Sequence, residues 1–196
     1  MKVLGLDVST SNVGVCVIDT SLPMEDRVVI ADGISMTKTK GLYTKSCMLR
    51  EHLSDVAYDH EIDVIVVEEA LQAFRSRMSS AGTLAKLNRF NGIASYLARS
   101  IFDCPLYLAN VISTRKAVGC FVNRKLPLNT KDQVFEWVKV QPDMISYPWP
   151  TKVLKSGKNK GITRNEAVCF DIADAYVVAR FGADVLKTTD ISDTNV

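Results

Sequence analysis

A chain of 196 residues with a formal net charge of +2, 47% hydrophobic residues and a mean hydropathy of +0.06 is long enough for one well-packed domain. No apolar run approaches the length of a membrane span and the N-terminus has no signal-peptide pattern, so a soluble, cytoplasmic protein is expected (nucleoid, or host-cell cytoplasm for a viral source), not a secreted one. Five scattered cysteines with no CxxC pair and no adjacent histidine argue against a zinc module and for free thiols buried in a reducing compartment.

Residues 3–8 form an apolar run suited to the centre of a covered sheet, interrupted by Asp7. A carboxylate inside such a strand is costly without a cation, yet aspartate also favours strand-end turns, so this stretch alone leaves both readings open. The loop 9–12 is polar, and residues 13–18 return at once as a second strand. A third strand is expected over 27–36 and a helix over 44–58, with Met48, Leu49, Leu53, Val56 and Ala57 at helical spacing. Residues 63–69 are a short, nearly all-apolar strand of parallel, doubly covered character that also ends in carboxylates. By the period of two, either Glu68 or Glu69 faces the same cleft as Asp7.

Residues 71–80 lose periodicity and place Phe74 among Gln72, Arg75 and Arg77. The spacing then predicts a helix over 83–102 with a stripe of Leu84, Leu87, Phe90 or Asn91, Ala94, Leu97 and Ile101. That stripe serves first as core and second as a self-association face. A short strand over 105–111 leads into a helix opening at 113–116, and another helix is expected over 130–138, capped by Asn129 or Thr130. Residues 141–161, with three prolines, Tyr147, Trp149 and four lysines, suit an extended exposed loop. From 111 to 164 there are eleven basic residues against three acidic ones, +8 in a chain of +2, which leaves −6 elsewhere; a polyanionic partner fits that segment. The last helix is expected over 163–181, with Thr163 and Glu166 as a capping box. Asp171 and Asp174 fall within its apolar stripe, side by side at i and i+3, where a metal-binding role is favoured over two solvated aspartates. A polar tail follows, placing the domain at 1–186 and a flexible tail at 187–196.

Four acids thus sit on apolar strands or stripes: Asp7, Glu68 (or its neighbour Glu69), Asp171 and Asp174. Oxygen ligands without cysteine or histidine suit Mg²⁺ or Mn²⁺, and four carboxylates are enough to hold two such ions for in-line attack at a phosphodiester. His52 and His60 flank a helix and a strand start, which makes them poor general bases.

The opening Leu4-Gly-Leu-Asp7 with Ser9, the strand end Val67-Glu68-Glu69 and the late Asp171-Ile-Ala-Asp174-Ala175 together resemble the RuvC family of Holliday junction resolvases, within the RNase H-like superfamily. The resemblance covers nearly the whole chain. It implies a mixed five-stranded sheet flanked by helices on both faces, and a Mg²⁺-dependent endonuclease that resolves four-way junctions by paired symmetric nicks. It implies Asp7, Glu68, Asp171 and Asp174 as ligands of two Mg²⁺ ions (Mn²⁺ substituting), with Lys131 near the scissile phosphate and Lys116 as a further DNA contact. Phe74, or the competing Leu71, would wedge into the junction, beside Arg75 and Arg77. A homodimer would form through the helix near 83–102. Asp7-Val-Ser-Thr lacks the glycine common after that aspartate in the family. The stretch 147–160 is longer than usual, so Lys152, Lys155, Lys158 and Lys160 are either an added DNA clamp or part of an insertion. Two other readings share the site: a broader flap and fork nuclease, and a non-catalytic DNA-binding scaffold. A sugar-kinase-like phosphate loop would need a second domain for which the chain has little room.

Overall fold

The computed structural model describes residues 1–70 and 81–186. In chain order these form β1 (Lys2–Val8), β2 (Asn12–Asp19), β3 (Val28–Ser35), α1 (Leu42–Asp59), β4 (Val64–Glu68), α2 (Ala81–Phe102) and β5 (Leu106–Ala109). They continue with α3 (Val111–Ala117), α4 (Thr130–Lys139), β6 (Thr151–Val153), β7 (Thr163–Asn165) and α5 (Val168–Asp184). Phe74, Arg75, Arg77 and Leu71, and the expected tail, lie outside the described residues. Among the described residues, no helix is long and apolar enough to cross a membrane.

The sheet runs β3-β2-β1-β4-β5. β1 pairs antiparallel with β2 and parallel with β4; β2–β3 is antiparallel and β4–β5 parallel, the mixed five-stranded arrangement that the resemblance implies. The period of two divides each strand between two helical layers. Leu4, Leu6 and Val8, with Val13, Val15, Val17, Ile65 and Val67, meet Leu49, Leu53 and Val56 of α1 and Phe90, Ala94 and Ala98 of α2. On the other face Val3, Val64 and Val66 pack against Val178 of α5, and Cys16 and Ile18 pack with Ala175 and Tyr176. α4 closes that layer from outside through Val134, Phe135 and Val138. With sheet on one side and α4 on the other, α5 is buried almost all round, so its apolar stripe is too wide to stand out as a single face.

Two local readings change. Residues 163–165 are not the first turn of the last helix but β7, paired antiparallel with β6 from Thr151↔Asn165 to Val153↔Thr163. The helix starts at Val168, its N-cap position is Ala167, and no side chain caps it, so the Thr163–Glu166 capping box does not form. The backbone N–H of Glu166 instead donates to the Pro150 carbonyl (2.9 Å), closing the base of the ribbon. The expected loop 141–161 therefore carries a strand of its own. Its base is fixed by aromatic packing: Trp149 stands edge-on to both Phe135 (4.7 Å between centroids) and Tyr147 (4.8 Å). The Tyr147 hydroxyl donates to the Ala31 carbonyl at 2.7 Å. Cys16, Cys104, Cys120 and Cys169 are buried free thiols, as expected, whereas Cys47 is only partly covered.

Candidate active site

The site lies where α5 crosses the carboxyl ends of β1 and β4, and small residues on the strands bring it there. A Cβ on Gly14 would stand 1.9 Å from the Asp171 carbonyl oxygen, and one on Gly5 2.5 Å from both the Ala175 oxygen and the Ala179 nitrogen. Gly182 makes the reciprocal concession, its missing Cβ leaving room for Val3 and Val66. Helix and sheet therefore touch backbone to backbone. Gly14 is also the residue directly opposite Asp7 in the β1–β2 ladder, so the same position that admits α5 sets Asp171 beside Asp7. On β4, Glu68 shares its face with Val64 and Val66, the residues packed under α5, so alternation turns Glu68 toward Asp7's side of the sheet.

All four acids form one electrostatic cluster. Asp171 and Asp174 are 4% and 6% exposed; Asp7 and Glu68 keep some solvent access while densely surrounded by protein. Burial, then Glu68, Asp174 and Asp171, push the Asp7 carboxyl well above its ordinary range, against the pull of Lys131. Burial and Asp174 push Glu68 up to about 7, opposed by Arg115 and Lys131. Burial raises Asp171 as well, with Lys131 opposing.

Several residues hold these carboxylates in place. Asn12 Nδ2 donates to Asp171 Oδ2 at 3.0 Å in a buried contact. Asn12 is itself fixed by the 9–12 turn, where its N–H donates to Ser9 Oγ (3.0 Å), the Ser9 hydroxyl donates to the Asn12 carbonyl (2.8 Å), and Lys45 Nζ donates to the Thr10 carbonyl. The 9–12 turn is thus held by serine and asparagine groups directly after β1. From the opposite layer, Asn91 Nδ2 donates to the Glu68 carbonyl at 2.9 Å, pinning the end of β4. Lys131, in the first turn of α4, lies 4.0 Å from Asp171 Oδ1. Arg115 on α3 donates from Nη2 to Asp174 Oδ1 at 2.7 Å. Arg115, Asn12 and Asn91 carry no motif of their own, and only their fold partners identify them. Their neighbour Lys116 is exposed, as are Lys152, Lys155, Lys158 and Lys160 on and beside the β6–β7 ribbon. His52 stands 3.7 Å from Asp32 on β3, apart from the carboxylates.

Among the described residues, no three acid, thiol or imidazole side chains stand at ligand spacing about one point; Arg115 and Lys131 occupy the acids instead. The chemistry of the set nevertheless fits hard divalent cations: all donors are carboxylate oxygens, and four acids face two cationic side chains in a buried site. Truncating Asn12 tests the positioning shell. Asn12→Ala is expected to weaken Mn²⁺ binding at these carboxylates roughly 10- to 100-fold, in the range seen when a ligand loses its supporting hydrogen bond. Calorimetric titration of Mn²⁺ into the folded variant measures it.

No family model matches the chain. The crossover junction endodeoxyribonuclease RuvC of Aliarcobacter butzleri is 30% identical over 144 residues, spanning 68% of this chain and 88% of that protein. Among solved structures, Thermus thermophilus RuvC in complex with a Holliday junction substrate superposes with a TM-score of 0.59 at 14% identity, covering 93% of this chain and 92% of that one. The yeast mitochondrial Holliday junction resolvase Ydc2 matches at 0.54 with 16% identity, over 92% of this chain and 77% of its own.

Proposed function

Because this chain belongs to the RuvC family of crossover junction endodeoxyribonucleases, we propose that it resolves Holliday junctions by metal-dependent paired nicking at the cluster of Asp7, Glu68, Asp171 and Asp174. The observation that carries the assignment is this convergence of four buried or half-buried acids, contributed by β1, β4 and α5, on one patch. A scaffold without catalysis has no use for such a destabilising arrangement. In this reading the four carboxylates hold two Mg²⁺ ions, with Mn²⁺ able to replace them. When bound, the ions supply Lewis acidity to the attacking water and to the leaving 3′ oxygen.

The chain's own residues do the remaining work. Asn12 and the Ser9 turn orient Asp171, and Asn91 fixes the end of β4 that carries Glu68. Lys131, 60% exposed along its side chain, offers a positive charge to a phosphate entering beside Asp171. Lys116, Lys152, Lys155, Lys158 and Lys160 are DNA contacts in this reading, the last four held out on and beside a ribbon whose base is locked to α4 by Trp149. The first half of α2, where Leu84 and Leu87 remain partly exposed ahead of the packed Phe90, supports a homodimer through this helix.

A panel of four-way junction, flap, fork and linear duplex, each with Mg²⁺ or EDTA, tests the assignment. Cutting of the junction in preference to the other substrates, abolished by EDTA, is expected; comparable cutting of flaps and forks would replace the resolvase reading with a general branched-DNA nuclease. Removing all four ribbon lysines (K152A, K155A, K158A, K160A) is expected to flatten the log–log salt dependence of junction binding by up to about 3 to 4, near one per lost phosphate contact. An unchanged slope would make the ribbon an insertion that does not touch DNA.

A further inference from the structure

Arg115 is held oddly for a residue beside a cation site. Its Nη2 donates to Asp174 Oδ1 at 2.7 Å, and the two side chains are only 15% and 8% exposed. Its Nε is enclosed and has no hydrogen-bond partner among the described residues. The same guanidinium bears on Glu68, lowering that carboxyl against its burial. Helix α3 aims it: Asn110 caps the helix by accepting from the Ile112 and Ser113 N–H groups, and Thr114 is buried, so Arg115 emerges toward the carboxylates while Lys116 turns to solvent. By contrast Lys131 reaches Asp171 only at 4.0 Å from an exposed position.

We propose that Arg115 is an exchangeable counter-ion: it holds Asp174 in the cation-free enzyme, yields that oxygen to a divalent cation, and turns its guanidinium to a phosphate of the bound DNA. The proposal rests on the reading of the four acids as a cation site. A carboxylate oxygen cannot serve a guanidinium and a divalent cation at full strength, because the two positive charges repel at that range. A partly unsatisfied fork of N–H donors, buried at the lip of the site and released from its carboxylate, is matched by phosphate oxygens, which accept it bidentately. Cation and DNA would then favour each other's binding, because each stabilises the released position of the same side chain.

Calorimetric titration of Mn²⁺ into DNA-free protein tests this with wild type, Arg115→Gln, Arg115→Lys and Asp174→Asn. The Gln variant is expected to bind Mn²⁺ about tenfold more tightly or better, the competing charge being gone. It is also expected to melt lower than wild type without metal, and to show less of the Ca²⁺-dependent gain in junction affinity that the exchange predicts for the wild type. Arg115→Lys, which keeps the charge but shortens the reach and loses the fork, is expected to show the same changes at smaller size, and carries the test if the Gln variant does not fold. Unchanged or weaker Mn²⁺ binding in a folded Arg115 variant, with Asp174→Asn still weakening it, would make Arg115 a fixed strut and overturn the exchange alone. Mn²⁺ affinity indifferent to Asp174→Asn would overturn the site assignment beneath it.

Discussion

Asp7→Asn is expected to lower single-turnover nicking by about 10³-fold or more, while raising the melting temperature of the metal-free protein. Both effects have one cause. Asp7 sits at the centre of the acid cluster, where burial and three neighbouring carboxylates raise its pKa well above the ordinary range. An acid whose pKa is raised on folding keeps a proton that the unfolded chain gives up, so its penalty is absent below the ordinary carboxylate range near pH 4 and grows as pH rises. For Glu68, raised to about 7, the penalty grows until the pH passes that value. The melting-temperature advantage of Asp7→Asn should therefore open as the pH rises above about 4, and shrink or reverse when Mn²⁺ is added, since only the wild type would complete the proposed cation site. Differential scanning calorimetry as the pH is raised, with EDTA or Mn²⁺, measures it. A variant that melts lower than wild type at every pH without metal would mean that the carboxylate is a structural partner, not a cation ligand.

The second large effect is expected at a residue with no chemistry at all. Gly14→Ala places a methyl group 1.9 Å from the Asp171 carbonyl oxygen and 2.4 Å from its carbonyl carbon. Both obstacles are backbone, fixed in the first turn of α5, so that end of the helix must lift from the sheet. The loss is expected to exceed about 3 kcal/mol, beyond the usual range for overpacking, with melting lowered by roughly 6–12 °C in a chain of this size. Nicking should fail even well below the melting temperature, because the displaced turn is the one that carries Asp171. Gly33→Ala is the informative comparison. Its methyl would meet the side chains of Val168 and Ile172 and no backbone atom, and side chains can rotate away. It should melt closer to wild type and keep activity. Equal effects at both positions would mean that general crowding, and not the seat of Asp171, decides the outcome.

These two positions show what the sequence disclosed and what it could not. Asp7 and Glu68 were legible because each interrupts an otherwise apolar strand, and Asp171 and Asp174 because they fall within an apolar helical stripe; burial cost makes such acids conspicuous. The choice between Glu68 and Glu69 needed the register of β4 with β1 and the position of α5, which alternation alone leaves open. Arg115, Asn12 and Asn91 were invisible for a different reason. Their partners lie 59, 159 and 23 residues away, and a single arginine or asparagine carries no local signal of a contact at that distance. Gly14 lies unmarked within the strand expected over 13–18; its meaning appears only when α5 is laid across it. The β7 error was of the opposite kind. Thr163 and Glu166 satisfy a real local motif, but pairing with residues 151–153 and the bond to Pro150 outcompeted one turn of helix.

The most direct measurement is to map both cleavage points on a four-way junction labelled at each 5′ end, and to treat the products with DNA ligase. Nicks at symmetric positions on two opposing strands, resealed by ligase and absent with Asp7→Asn, are the expected result. Nicks at unrelated positions, or ends that ligase cannot seal, would contradict paired resolution at this cluster of four acids.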